Sequence, residues 1–137
     1  MVANTHYQTV YRQVQVETAG KEKHIVMLYN GAIVALQKAG ELIRARDYIE
    51  KGKAIFKAQD IVMELNFCLN EEYSTIATNL RRLYAYMHRC LSEANVKNDL
   101  KKIEEILRLL SGLRDAWVVA AAKATAGAQQ ERIGMVA

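Results

Sequence analysis

Apolar residues recur along most of the chain at alternating steps of four and three. From about Lys21 to Arg46 the row is Ile25, Tyr29, Ala32, Leu36, Ala39 and Ile43. From about Tyr48 to Leu69 it is Ala54, Ala58, Ile61, Leu65 and Cys68. From about Glu71 to Val96 it is Ile76, Leu80, Leu83, Met87, Cys90 and Ala94. From about Asp99 to Ala124 it is Leu100, Ile103, Leu107, Leu110, Arg114, Trp117 and Ala121. Such steps keep one face of an α-helix apolar. Their mean spacing is that of helices packed nearly side by side. The pattern therefore predicts four helices. Polar residues mark the starts of three. Asp47 stands where an N-cap belongs, with Glu50 at the capping-box spacing. Asn70 and Asn98 are the expected caps of the third and fourth helices. Glu71, Glu72 and Asp99 complement the positive helix ends that follow.

The links between these segments are short, which makes consecutive helices antiparallel neighbours. The expected fold is all-α, an antiparallel up-down four-helix bundle over residues 21–125. Residues 1–20 read as an N-terminal arm. Tyr7, Val10, Tyr11 and Val14 fit one face of a short helix, which needs a surface to lie on. After Thr125 the apolar pattern fails, and residues 126–137 read as a loose tail. Each helix also carries a second apolar row: Val26, Ile33 and Gly40; Ile55, Val62 and Leu69; Ala77, Tyr84 and Leu91; Ile106, Leu113 and Ala120. Bundle helices commonly bury about three positions in seven, so a second row is ordinarily core. The first helix exceeds that share, because Leu28, Ala35 and Leu42 extend its apolar surface further. A surplus of this kind leaves grooves for an amphipathic partner helix, and an arm can cover them until the partner arrives.

Composition narrows the function. The chain has 137 residues, which suits one domain, and contains no proline. No apolar run approaches the ~20 residues that span a bilayer, and the first residues lack the pattern of a secretory signal. Cys68 and Cys90 fall inside helical patterns and read as small core hydrophobes rather than a disulfide, which fits a reducing cytoplasm. A net charge of +4 is mild. Arg81, Arg82, His88 and Arg89, with Tyr86 among them, read as a solvated helix face rather than a nucleic-acid surface. No glutamate is followed by histidine three residues later, as a di-metal bundle requires. There is no paired-cysteine or paired-histidine metal motif, no phosphate-cradling glycine loop and no nucleophile in a glycine turn. Neither a metal nor a cofactor nor an enzymatic activity is expected. Arg114 is the one charge in a seam, where it needs a carboxylate such as Asp60 or Glu64, or a route for its head to the bundle end.

Several blocks resemble the FliS family of flagellin export chaperones. Leu28-Tyr29-Asn30-Gly31-Ala32 is similar to that family's Leu-Tyr-Asp-Gly-Ala. Lys57-Ala58-Gln59-Asp60-Ile61 with Glu64-Leu65 resembles its second-helix block. Asn79-Leu80, Leu83-Tyr84, Tyr86-Met87, Leu91 and Glu93-Ala94-Asn95 resemble the third, and Leu113-Arg114-Asp115-Ala116-Trp117 the fourth. Tyr7-Gln8, Gln15 and Thr18-Ala19 also fit, so the likeness spans about residues 6–117 in order. The resemblance implies a cytoplasmic chaperone that binds the disordered carboxyl-terminal segment of flagellin 1:1. It would block premature polymerisation and aid delivery to the export gate protein FlhA. It implies flagellin contacts from Leu28, Tyr29, Ile61, Leu65, Leu80 and Tyr84, with Tyr7 and Tyr11 on a movable arm. Gln59, Asp60, Asn79 and Asn95 would bond to backbone groups or hold helix register. Gln59 and Asp60 have a second reading, as ties between helices. Three positions depart from the family: Gly20-Lys21 replace Ser-Pro, Asn30 replaces an acid, and His24 replaces an apolar residue. The alternative function is another helical adaptor, or a bundle that closes its surplus apolar surface on a second copy of itself.

Overall fold

The computed structural model describes residues 20–69 and 74–136. Four helices follow one another: α1 (Lys21–Arg44), α2 (Tyr48–Phe67), α3 (Ser74–Lys97) and α4 (Leu100–Val136). The fold is all-α, and the described residues include no strand. The expected arm, with Tyr7 and Tyr11, and the expected cap Asn70 lie outside the described residues.

Two of the turns are built alike. Arg46 has φ 58°, the Asp47 amide donates to the Leu42 carbonyl at 2.9 Å, and the Arg46 amide donates to Ile43 at 3.1 Å. These bonds are the left-handed closure that satisfies the last carbonyls of a helix, with arginine where glycine is usual. Asp47 then caps α2, its carboxylate accepting from the Glu50 amide at 3.3 Å as its sequence position predicts. At the other turn Asn98 has φ 52° and the Asp99 amide donates to Ala94 at 3.0 Å. Asn98 therefore closes α3 and does not cap α4, which corrects the sequence-based expectation. The cap of α4 is Asp99, which accepts from the Lys102 amide at 3.2 Å. Both joints thus run from a left-handed residue into an aspartate.

The carboxyl-terminal end also differs from expectation. α4 does not stop near Ala124 but stays helical through the segment read as a loose tail, to Val136. The alanines between Ala120 and Ala128 are strong helix formers, and no proline interrupts them. A helix can continue on propensity after its apolar seam has ended.

The chain divides into two compact units, Met27–Arg114 and the remainder. Within Met27–Arg114 the helices form the up-down bundle, and cross-links fix their order. Ile61 of α2 lies beside Gly31 of α1. Lys51 and Gln59 of α2 bond to Asn95 and to His88 and Ser92 of α3. Tyr86 of α3 donates to Glu105 of α4 at 2.8 Å. Arg44 of α1 pairs with Glu104 of α4 at 3.4 Å. Lys51 is early in α2 and Asn95 late in α3, and Arg44 ends α1 while Glu104 is early in α4, as antiparallel packing demands. In the remainder, Ile25 and Ala121 are buried.

The core takes the second row as fully as the first. Tyr29, Leu36, Ile55, Val62, Leu65, Met87, Leu91, Ile103, Ile106 and Leu110 are almost wholly covered. Each such aliphatic side chain contributes about 1.5–3 kcal/mol by leaving water. On α3 the face is rotated from the seam drawn above. Ile76 is 60% exposed while its neighbour Ala77 is 4% exposed. A period of three and four sets the spacing of a stripe, and the neighbouring helices set which stripe turns inward.

Candidate partner-binding site

The α1–α2 edge of Met27–Arg114 carries an open cleft. A cavity of about 540 Å³ there is lined by Asn30, Gly31, Val34, Ala35, Lys38, Glu50, Lys53, Ala54 and Lys57. Its floor is small residues, and its rim carries three lysines against one glutamate. The helices approach closely because Gly31 has no side chain. A Cβ placed there would stand 3.3 Å from Ile61 Cδ1. Val34 beside the groove is 63% exposed, and Leu28 and Ile61 are half-buried. A smaller cavity, of about 410 Å³, lies between α1 and α4 beside Gly40, Leu100 and Leu107.

The residues expected from the sequence to meet a partner fall into separate environments. Leu28 and Ile61 are half-buried, Ile61 beside Gly31, and Asp60 and Asn79 are exposed. Tyr29, Leu65, Leu80 and Tyr84 are buried among the helices in this state. Gln59 is buried and donates from Nε2 to the His88 carbonyl at 3.0 Å and to the Ser92 hydroxyl at 2.9 Å. These bonds tie α2 to α3. Asn95 accepts two 2.7 Å bonds from Lys51 Nζ, one at its carbonyl and one at Oδ1. Arg114, half-buried, donates to Asn30 Oδ1 at 3.3 Å.

Lys51 was not legible as a core residue. It is 4% exposed, and desolvation holds its ammonium below the usual lysine value. Its bonds reach the last turn of α3, where a cation is favoured by the exposed carbonyls. Lys51 stands four residues after Asp47 and four before Ile55, a helical spacing that does place it near the apolar face.

On the α3–α4 side, the Tyr86 hydroxyl and then Lys102 lower the Glu105 carboxyl below its ordinary range. The bond to Glu105 raises the Tyr86 phenol above its own. Tyr86 is thus engaged within the bundle, while Arg81, Arg82 and Arg89 face solvent. No disulfide joins Cys68 and Cys90. Among the described residues, no group of three metal-ligating side chains comes together, and no helix is long and apolar enough to cross a membrane.

Comparison with known proteins places this geometry in a family. The profile of the flagellar protein FliS matches residues 3–124. The flagellar secretion chaperone FliS of Salmonella typhimurium is 40% identical over 121 residues, covering 84% of this chain and 90% of the relative. The corresponding chaperone of Bacillus subtilis is 37% identical over 109 residues, covering 80% and 81%. That of Escherichia coli is 34% identical over 113 residues, covering 78% and 83%.

The chain belongs to the FliS family of flagellar secretion chaperones.

Within this FliS-family bundle, two of the sequence blocks come together in space. The block around Leu28-Tyr29-Asn30-Gly31 and the block around Gln59-Asp60-Ile61 meet at the Gly31–Ile61 approach. The Asn30 departure also acquires a partner. Its amide oxygen accepts a hydrogen bond from the Arg114 guanidinium. The Gly20 departure precedes α1 with φ 86°, and its carbonyl accepts from the His24 amide at 3.3 Å.

Proposed function

We propose that this chain is a cytoplasmic export chaperone for flagellin. It binds the disordered carboxyl-terminal segment of flagellin 1:1, keeps that segment from polymerising early, and hands it to the export gate protein FlhA. It does so without catalysis. The observation that carries this reading is the α1–α2 groove, where two family blocks line one open apolar cleft rimmed by lysines. A disordered segment can fold as an amphipathic helix against such a cleft. Ordering the segment offsets part of the contact energy, so the complex stays releasable for export. Leu28 and Ile61 offer the apolar contacts, with Asp60 and Asn79 exposed for polar ones. Tyr29, Leu65, Leu80, Tyr84, Gln59 and Asn95 support the groove from within. Tyr7 and Tyr11 are assigned to the arm that yields to the segment.

The test is titration of the full chain with a peptide spanning the carboxyl-terminal segment of flagellin, followed by calorimetry and size exclusion. A 1:1 complex is expected, with a gain of helical circular dichroism. Ile61→Asp should weaken it at least tenfold without lowering the melting temperature by more than a few degrees. Absence of any complex with the wild-type chain would overturn the reading.

A further inference from the structure

The cleft between α1 and α2 has a charged rim that its apolar floor does not require. Gly31, Ala35 and Ala54 line it with small side chains, and Lys38, Lys53 and Lys57 line it with cations, against Glu50. All three lysines are exposed. Their heights along the two helices coincide. Ile61 lies beside Gly31, and α1 and α2 run antiparallel with the same rise per residue. Lys38, seven residues on from Gly31, therefore comes level with Ala54, seven residues back from Ile61. Lys53 and Lys57 bracket that level, four residues apart and so neighbours on one face of α2. The three lysines thus stand around one stretch of the cleft, Lys38 on the α1 side and the other two on the α2 side.

The rim does not neutralise itself. Lys53 pairs with Glu50 at 3.0 Å, on its own helix. Lys38 and Lys57 form no ion pair with a carboxylate among the described residues. Like charges around an apolar floor focus a positive potential into the cleft. An amphipathic helix laid on Val34, Ala35 and Ala54 presents one flank to each rim. A lysine on such a flank meets repulsion, and an aspartate or glutamate meets a cation. On the flank beside α2 the matching carboxylates stand one turn apart, because the cations they meet do. The apolar floor accepts any amphipathic helix, and the rim discriminates among them. Exposed rim charges act mainly on the rate of association and on its salt dependence.

We propose that Lys38, Lys53 and Lys57 are the specificity-determining residues of the cleft, admitting a segment that carries carboxylates on the flanks of its apolar stripe, two of them one turn apart on the flank that meets α2. The proposal rests on the reading of this cleft as the flagellin site. It names the chemistry by which the site tells one disordered segment from another.

Stopped-flow association of the full chain with the carboxyl-terminal flagellin peptide, followed from low to high salt, tests it. The wild-type rate should fall by about tenfold across that range as salt screens the rim. A triple variant with Lys38→Gln, Lys53→Gln and Lys57→Gln should associate about tenfold more slowly at low salt and lose most of the salt dependence. Its dissociation rate and circular-dichroism melt should stay at the wild-type values. Arginine at the same three positions should keep the wild-type rate. A second triple variant, Arg81→Gln with Arg82→Gln and Arg89→Gln, removes the same charge from exposed positions on α3, and should associate within about twofold of wild type. Each aspartate and glutamate of the peptide is then replaced in turn by its amide. At least two of these replacements should slow association to the wild-type chain and have no effect on the lysine triple variant. Absence of any complex with the wild-type chain overturns the reading of the cleft and this proposal with it. A complex that forms at a salt-independent rate, equal losses from the two triple variants, or no peptide carboxylate coupled to the lysines overturns this proposal alone.

Discussion

The hydroxyl of Tyr29 on α1 meets the hydroxyl of Tyr84 on α3 at 2.5 Å, with both side chains buried. Burial, and then the bond to Tyr29, push the Tyr84 phenol well above its ordinary value of 10.0. The folded chain therefore keeps this proton at pH values where the unfolded chain has released it. The stability from this group is fully present below about pH 10 and is lost progressively as the pH climbs above it. Urea melts between about pH 8 and pH 11, the range that brackets the phenol, should show a falling midpoint at the alkaline end. Tyr84→Phe should flatten that fall, at a cost of ~1 kcal/mol near neutrality for the lost hydrogen bond.

Arg46 holds a left-handed backbone conformation, φ 58°, that favours glycine. Arg46→Gly should stabilise the chain by ~1 kcal/mol, the usual cost of placing a side chain there. Asn98→Gly should act in the same direction at the equivalent joint. Asparagine tolerates this conformation better, but its Oδ1 is buried without a hydrogen-bond partner, and the substitution removes that acceptor. Thermal melts of the two variants and their combination check both effects. Additive gains are expected, because the joints share no partner.

Gly112 lies on α4, is exposed, and a Cβ there would meet nothing within 4 Å beyond its own stretch of helix. Gly112→Ala adds helix propensity and meets no obstacle. A gain of ~0.5–1 kcal/mol in denaturant unfolding is the expected result. A loss there would mean that this side of α4 is covered in solution.

Asn30→Asp would turn the Arg114–Asn30 hydrogen bond into an ion pair. Exposed pairs of this kind are worth ~0.2–1 kcal/mol, and salt screens them. Melts at low and high ionic strength should show a small gain that disappears with added salt. The same substitution adds a negative charge to the wall of the α1–α2 groove, whose rim is lysine-rich. Titration with the flagellin peptide at matched ionic strength separates an effect on binding from one on stability.

Of the candidate site, the blocks that line the groove were legible as sequence. Their meeting was not, since the approach of Gly31 to Ile61 needs two helices side by side. Gln59 shows the same limit. Its position within a family block suggested either a partner contact or a tie between helices. Its bonds to the His88 carbonyl and the Ser92 hydroxyl on α3 needed the fold to be seen.

By itself the sequence determined the helices, their antiparallel order and the Asp47 cap, because these follow from local spacing, propensity and short links. The tertiary structure decided what local spacing leaves open. It turned Ala77 inward and Ile76 outward, because a stripe's rotation depends on the helices that receive it. It made Asn98 the end of α3 rather than the start of α4, because the Asp99 amide is satisfied by a carbonyl one turn back. It buried Lys51 against Asn95, because the carbonyls at the end of α3 stabilise a cation there. And it left Ile49, Phe56, Met63 and Phe67 in water, because the bundle's neighbours cover only one side of α2.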